Sequence, residues 1–450
     1  MDILTTSMST HNENSGEIEY LYNYYKGKQD ILNKVKEVRP DINNKVTVNR
    51  AFEIVTFKKG HILGEPVQYI PRGEDRDNDL IISDNINALN DYMIESDKGE
   101  LDSELAEWFF VGGVGYRMVL PNAEWEEDSD DTPFKMYTLD PRYTFVVRYN
   151  NIDKDVAMGV TYTKNEHGVI AWDVYTKDTY FKVNKLEGIV EEKPNYLGMI
   201  PIVEYVHNNA RLGAFEPVLP LLNCINAVQS NRLDDIEQNV NSFMAIFGAD
   251  MDEETYKQVQ EWKMLILPDG ANAKYMSATL QQNDIQTYVD DLYQTILTIC
   301  GMPNRNGGSS TSDTGRAVEL RDGWSTAEYQ AKSVEKTFKK SERETLKIIL
   351  RILRDMGGTV LKLKNIDIKF ARRYSDNILT KVQALTQLLD AGIKPEIAIT
   401  TVGIWNDPID VTIQSKPYLT KWEVEEEDED VLQTLGQEDK ETQNFNKEII

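Results

Sequence analysis

The chain has few cysteines, few histidines, no long apolar run and too little positive charge to balance its negative charge. Two cysteines occur in 450 residues, Cys224 and Cys300, both in apolar helical contexts that suit small buried thiols. No disulfide framework can be drawn from them, which fits a reducing compartment. The histidines His11, His61, His167 and His207 are scattered and show no metal-ligand spacing. No Gly-x-x-x-x-Gly-Lys-Ser/Thr phosphate loop is present, and Gly112-Gly113-Val114-Gly115 follows a helix and precedes a strand, the reverse of a dinucleotide site. No run approaches the about 18 apolar residues of a membrane-crossing helix, and residues 1–16 lack a charged-then-apolar leader pattern. No catalytic site, metal, cofactor or membrane association is therefore expected. With 75 acidic against 49 basic residues the formal charge is −26, which excludes a conventional nucleic-acid binder with a basic footprint.

An apolar fraction of 40% is enough for real cores, and the length suggests about three domains. Helical spacing predicts helices over 17–37 (interrupted at Gly27), 48–62, 80–94 and 102–110. The pattern then changes to short Val-, Tyr-, Phe- and Thr-rich strands at 116–120, 135–139, 144–149, 157–163, 169–175 and 180–183. The acidic run 124–133 reads as a solvated hairpin tip, because it lacks the spaced ligands and the Gly of a calcium loop.

The stretch 216–356 organises the rest. A helix is predicted over 216–247, with an apolar stripe on Val218, Leu222, Ile225, Ile236, Val240, Phe243 and Phe247. Its polar side carries Asn226, Ser230, Asn231, Asp234, Glu237, Gln238 and Asn241. A small insert, 248–283, follows, with a helix at 253–263 and strands at 264–267 and 273–277. It is too small to build its own core, so it is expected to lean on a neighbouring subunit. An amphipathic helix over 284–300 has no basic residue. The segment 301–313 is rich in Gly, Ser and Thr. A helix of about 43 residues starting at Asp313, roughly 65 Å if straight, then runs to Met356 with a kink at Gly323.

Charge divides this stretch. Residues 216–300 hold 13 acidic and 4 basic side chains, whereas 332–373 hold 13 basic and 5 acidic. The acidic candidates are Asp234, Asp235, Glu237, Asp290 and Asp291, and the basic shoulder comprises Lys339, Lys340, Arg343, Lys347 and Arg351. Two short helices are expected at 378–389 and 395–402, with a stop at Gly392. Residues 421–450 hold 11 acidic and 3 basic side chains and read as a partly disordered tail.

Several local patterns, in order, resemble the portal proteins of tailed bacteriophages, of the siphophage type found in Gram-positive hosts. They are Tyr24-Tyr25-Lys26-Gly27-Lys28-Gln29-Asp30-Ile31-Leu32, Gly60-His61-Ile62-Leu63-Gly64-Glu65-Pro66-Val67, and Leu139-Asp140-Pro141 with Phe145-Val146-Val147. Further on come Ile200-Pro201-Ile202-Val203-Glu204-Tyr205, Asn208-Asn209 and Gly213-Ala214-Phe215-Glu216, then Gly301-Met302-Pro303 and Asp407-Pro408. The resemblance covers roughly residues 17–420.

It implies an α+β, elongated, multi-domain portal fold, assembled as a homo-oligomeric ring, usually of twelve subunits, around a channel for double-stranded DNA. Residues 1–16 would be a flexible N-terminus, 17–215 a mixed α/β wing, and 216–247 the first stem helix. Residues 248–283 would be the clip, 284–300 the second stem helix, and 301–313 the tunnel loop. Residues 314–375 would be the long kinked wing helix and a following strand, 376–420 a helical crown, and 421–450 the acidic tail. The loop would bring Asn304, Arg305, Asn306, Ser309, Ser310, Thr311 and Ser312 to the DNA. The clip would use Met264, Leu265, Ile266, Leu267 and Tyr275 against neighbours. Implied partners are the terminase large subunit, which would supply ATP hydrolysis, the major capsid and scaffolding proteins, and a head-completion adaptor. The expected location is the portal vertex of the virion, with the host cytoplasm as the place of assembly.

The chain departs from the family's usual Ser/Thr capping pattern in the crown, where it has Lys394-Pro395-Glu396. Two other functions stay open on sequence. One is a metal-dependent nuclease using Asp234/Asp235 or Asp290/Asp291, although adjacent helical residues point about 100° apart. The other is a different phage ring, such as a tail or baseplate adaptor.

Overall fold

The computed structural model describes residues 2–72, 79–126, 131–164, 170–184, 187–240, 243–247, 257, 270, 272–276, 282–304, 323–356, 359–370, 378–405, 408–415 and 418. The chain divides into two compact units, Met1–Phe370 and Ala371–Ile450.

The first unit is mixed α and β, as expected. Its helices are α1 (Asp2–Tyr25), α2 (Arg50–Leu63), α3 (Asp79–Glu95), α4 (Lys98–Gly112), α5 (Leu219–Val240), α6 (Gln282–Cys300) and α7 (Trp324–Asp355). Strands β2 (Val114–Pro121), β3 (Phe134–Leu139) and β9 (Ile202–Val206) form an antiparallel sheet in the order β3-β2-β9. Strands β4 (Thr144–Arg148), β5 (Val156–Lys164), β6 (Ile170–Tyr175), β7 (Thr179–Asn184) and β8 (Gly188–Pro194) form an antiparallel meander. Two further ribbons pair β1 (Gln68–Pro71) with β12 (Ile366–Lys369) and β10 (Phe243–Phe247) with β11 (Asn272–Met276).

The N-terminal residues are helical from Asp2 rather than flexible. Leu4, Met8, His11, Ser15 and Ile18 recur at steps of four and three, so they share one face. Leu4 and Met8 pack on Phe145, Trp172 and Val174 of the meander. His11 stacks on Phe145, and the Ser15 hydroxyl donates to the Arg142 carbonyl at 3.0 Å. Burial pushes the His11 ring below its ordinary pKa against the opposing effect of its bond to the Arg142 carbonyl. A polar composition hid the four-three step.

Phe243–Phe247 is not the end of a stem helix. It is a strand whose Met244 lies opposite Tyr275 of β11. Gly323 is not a kink inside α7 but the residue before it, at φ 82°. That left-handed conformation is open to glycine at no steric penalty. The buried side of α7 falls on Ala327, Ala331, Val334, Phe338, Thr345, Ile348 and Ile352, as its spacing predicts.

A charged knot lies in the core between α4, β2, β9, β1 and α7. Lys98 Nζ is 2.6 Å from Asp102 and 3.2 Å from Glu342, and Arg117 Nη1 is 2.6 Å from Asp102. Glu342 accepts hydrogen bonds from the hydroxyls of Tyr69 and Tyr205, and Tyr205 also meets Thr345 Oγ1 at 2.7 Å. Arg117 and Glu342 are both fully buried. Burial alone would raise the Glu342 carboxyl. The Lys98 and Arg117 charges and the two tyrosine hydrogen bonds outweigh it and hold the carboxyl below its ordinary value. The four charges sum to zero, which is the condition for burying them.

The second unit holds α8 (Ile378–Asp390), α9 (Pro395–Val402) and α10 (Pro408–Ser415). Gly392 ends α8 at φ 79° and Pro395 opens α9, both as predicted. The helix α10 was not anticipated.

Glu342→Gln leaves two buried cations facing one carboxylate. It should lower stability by about 3–5 kcal/mol in chemical denaturation. Adding Lys98→Met restores neutrality and should recover part of that loss. A double variant as unstable as the sum of the singles would show that charge balance is not what the knot supplies.

Candidate functional site

Helices α5 and α6 lie side by side, with Leu222 and Ile225 meeting Leu292 and Ile296 in the main core. Arg232 ties their far ends, donating to the side-chain oxygens of Gln282 and Gln286.

The polar side of α5 is not an open surface. A strap of extended chain covers it. The backbone N–H groups of Val48, Val46 and Asn44 donate to Asn226 Oδ1 (2.8 Å), Ser230 Oγ (2.9 Å) and Asp234 Oδ1 (2.7 Å). Alternate strap residues thus meet every fourth helix residue. Two extended residues advance about 6.6 Å and four helical residues about 6 Å, so the two repeats keep step. Asn226, Ser230 and Asp234 are accordingly buried.

Asp234 is therefore a buried, paired carboxylate and not an exposed one. Lys34 and Lys36 approach it at 3.0 and 3.2 Å, and the Asn44 side chain adds a bond of 2.9 Å. Burial opposes its ionisation, but the Asn44 backbone N–H and the two lysines hold the carboxyl well below the usual Asp range. The signal for the strap was the i, i+4, i+8 step of Asn226, Ser230 and Asp234, which also reads as any polar helix face. The other acidic candidates are exposed: Asp235, Glu237, Asp290 and Asp291. Glu237 accepts from Asn44 and Asp290 from Gln286.

At the C-terminal end of α6 the chain is clasped. The Met302 N–H donates to the Leu297 carbonyl at 2.8 Å, and Gly301 turns the chain at φ 60°. Met302 and Pro303 are buried, and Asn304 Nδ2 donates to Gln294 Oε1 at 2.6 Å. Buried Lys58 donates to Gln330 Oε1 at 2.9 Å, and the Gln330 amide lies against Gly301. Burial pushes the Cys300 thiol up to about 11. Gly323 returns to the same spot: a Cβ built on it would sit 4.0 Å from the Met302 carbonyl oxygen and Pro303 Cα. Both ends of segment 305–322 are therefore held together. Of the loop candidates, Asn304 is fixed on α6, while Arg305, Asn306, Ser309, Ser310, Thr311 and Ser312 lie outside the described residues. Met264, Leu265, Ile266 and Leu267 also lie outside them, as do the surroundings of the Tyr275 side chain.

The basic candidates lie on the solvent side of α7. Lys340, Lys347 and Arg351 are exposed, and Lys339 and Arg343 are half-buried. No helix of the described residues is long and apolar enough to cross a membrane.

Asp234→Asn removes the charge that holds the strap. It should cost about 2 kcal/mol near neutral pH by urea denaturation. The folded-state carboxyl lies below its unfolded value, so its contribution is complete above the ordinary Asp value of about 3.9 and declines as pH falls below it. The gap between parent and variant should narrow in acid. A gap that stays constant down to about pH 2 would remove the charge explanation.

A search of curated proteins finds no match to this chain. Residues 7–403 match the family described as phage portal protein, SPP1 Gp6-like. That span contains the strap, both paired helices, the clasped segment and the whole of α7, so the chain belongs to the phage portal protein family.

Proposed function

We propose that this portal protein assembles into a ring, usually of twelve copies in such proteins, at one capsid vertex. Double-stranded DNA would be packaged and later ejected through its channel. In this reading α5 and α6 are the stem, 248–283 the clip, 301–313 with its neighbours the tunnel loop, and 376–420 the crown. The ring docks the terminase large subunit, whose ATP hydrolysis drives packaging, and afterwards a head-completion adaptor. Major capsid and scaffolding proteins surround it.

Beyond family membership, the clasp carries the reading. It gives a polar segment of 18 residues, 305–322, a single fixed point of attachment at the end of a helical pair. In the ring reading, that attachment point would lie beside the passing duplex. The exposed carboxylates Asp235, Glu237, Asp290 and Asp291 repel phosphates, whereas basic residues would bind them and slow transit. Leu233, Ile236 and Ile299 are exposed on the same helices, and Phe247 on β10, which suits a neighbouring copy packed against them. A nuclease centred on Asp234/Asp235 is disfavoured, since Asp234 is already held by two lysines and an asparagine.

Negative-stain images of protein co-expressed with capsid components should show closed rings with a central hole. A strict monomer under every condition would count heavily against the proposal. Removing residues 307–311 should leave the rings intact and reduce packaging of DNA into capsids; unchanged packaging would remove the loop's role. Purified rings should neither hydrolyse ATP nor cut DNA in magnesium, and either activity would overturn the non-enzymatic reading.

A further inference from the structure

An open cleft of about 860 Å³ runs between α7 and the segment leading into β12. Its floor is α7, where Lys336, Lys340, Arg343 and Lys347 follow one another at steps of four, three and four. At about 100° per residue these four fall within an arc of about 60°, opposite the buried side of the helix. They form a straight row about 16 Å long. Arg72 and Lys364 face them from the other wall. Among the described residues, the lining holds seven cationic and two acidic side chains.

Both acids are already engaged, and only Lys347 of the row is neutralised by one of them. Glu344 is engaged by Lys347 at 2.7 Å and Asp367 by Lys369 at 3.5 Å. Arg72, Lys336, Lys340, Arg343 and Lys364 form no ion pair among the described residues. Lys339, beside the row, stacks over Phe370 instead. These like charges lie close together and repel one another.

We infer that this cleft binds the phosphate backbone of duplex DNA without regard to sequence. Three features favour this occupant over an acidic polypeptide. The row is straight and its cations are about 5 Å apart, which suits a regular polyanion. Among the described residues Leu363 and Ile368 are the only apolar side chains in the lining, which gives little of the apolar pocketing by which peptide grooves select side chains. Among the described residues no aromatic ring lines it, so they offer no stacking platform for unpaired bases. What remains is charge and hydrogen-bond donors, which position a backbone and read no bases. The site lies within one copy, so it stands whether or not the ring reading does.

The test uses the full-length protein as purified and a covalently closed circular duplex, which cannot thread a closed ring. Filter binding is measured over a range of salt concentrations. The variant K336Q/K340Q/R343Q removes three cations from the row, and K154Q/K177Q/K182Q removes three exposed cations elsewhere. The parent should bind the circle with a steep salt dependence. The cleft variant should bind roughly tenfold or more weakly in moderate salt, and its log–log slope should be shallower by about 3. The control should match the parent. Equal loss in both variants, or no loss in either, would overturn the inference. So would cleft-dependent binding of a poly-glutamate peptide by a parent protein that ignores the circle. Size-exclusion elution and thermal melting, run on each variant, separate loss of the site from loss of fold or assembly.

Discussion

The buried knot around Glu342 is the constraint on which the first unit depends. Five elements far apart in sequence each bring one or two polar groups to a dry place: Tyr69 from β1, Lys98 and Asp102 from α4, Arg117 from β2, Tyr205 from β9, and Glu342 with Thr345 from α7. Apolar packing alone would let a long helix slide along a sheet at small penalty. Here a slide of one residue leaves charges unpaired in a medium that tolerates none. The knot fixes the register of α7 against the β3-β2-β9 sheet and the β1–β12 ribbon, and everything carried by α7 inherits that register. This includes Gln330 at the clasp and the cationic row on its outer side.

The same logic, with weaker groups, fixes α5. Its bond to the strap uses neutral side chains at two positions and a lysine-paired carboxylate at the third. Polar side chains that look like a wetted helix face are spent on backbone N–H groups that would otherwise be buried without partners. The carboxylates left exposed on the helical pair include Asp235, Glu237, Asp290 and Asp291, and the basic candidates lie on α7. Opposite charges thus occupy different elements of one chain.

How much of this was legible in the sequence follows from periodicity. The buried side of α7 and the strands of the meander carry clear steps of three-to-four and of two, and they appear where expected. Val-rich β5 and β6 were plain, but β8 was missed because Gly188–Pro194 is an exposed, charged edge that pairs through its backbone. Phe243–Phe247 misled because a short, wholly apolar run fits a helix end as well as a strand; only its pairing with Asn272–Met276 decides. The N-terminal helix and the strap were hidden for a shared reason. Their partners lie more than a hundred residues away, and a polar residue buried by a distant segment looks the same in sequence as one left in water. The knot was invisible for that reason too, since nothing near Glu342 marks it among the charges of its own helix.

One consequence of the strap is mechanical. A helix seated only among apolar side chains can roll several degrees or creep along its axis while losing little contact. Helix α5 cannot, because Asn226, Ser230 and Asp234 engage fixed N–H groups at a matched pitch. Rotation or sliding would break three hydrogen bonds together. The helix is a keyed shaft: it is locked to the strap, and through Gln29, Asn49 and Tyr24 to the body that α1 and α2 support.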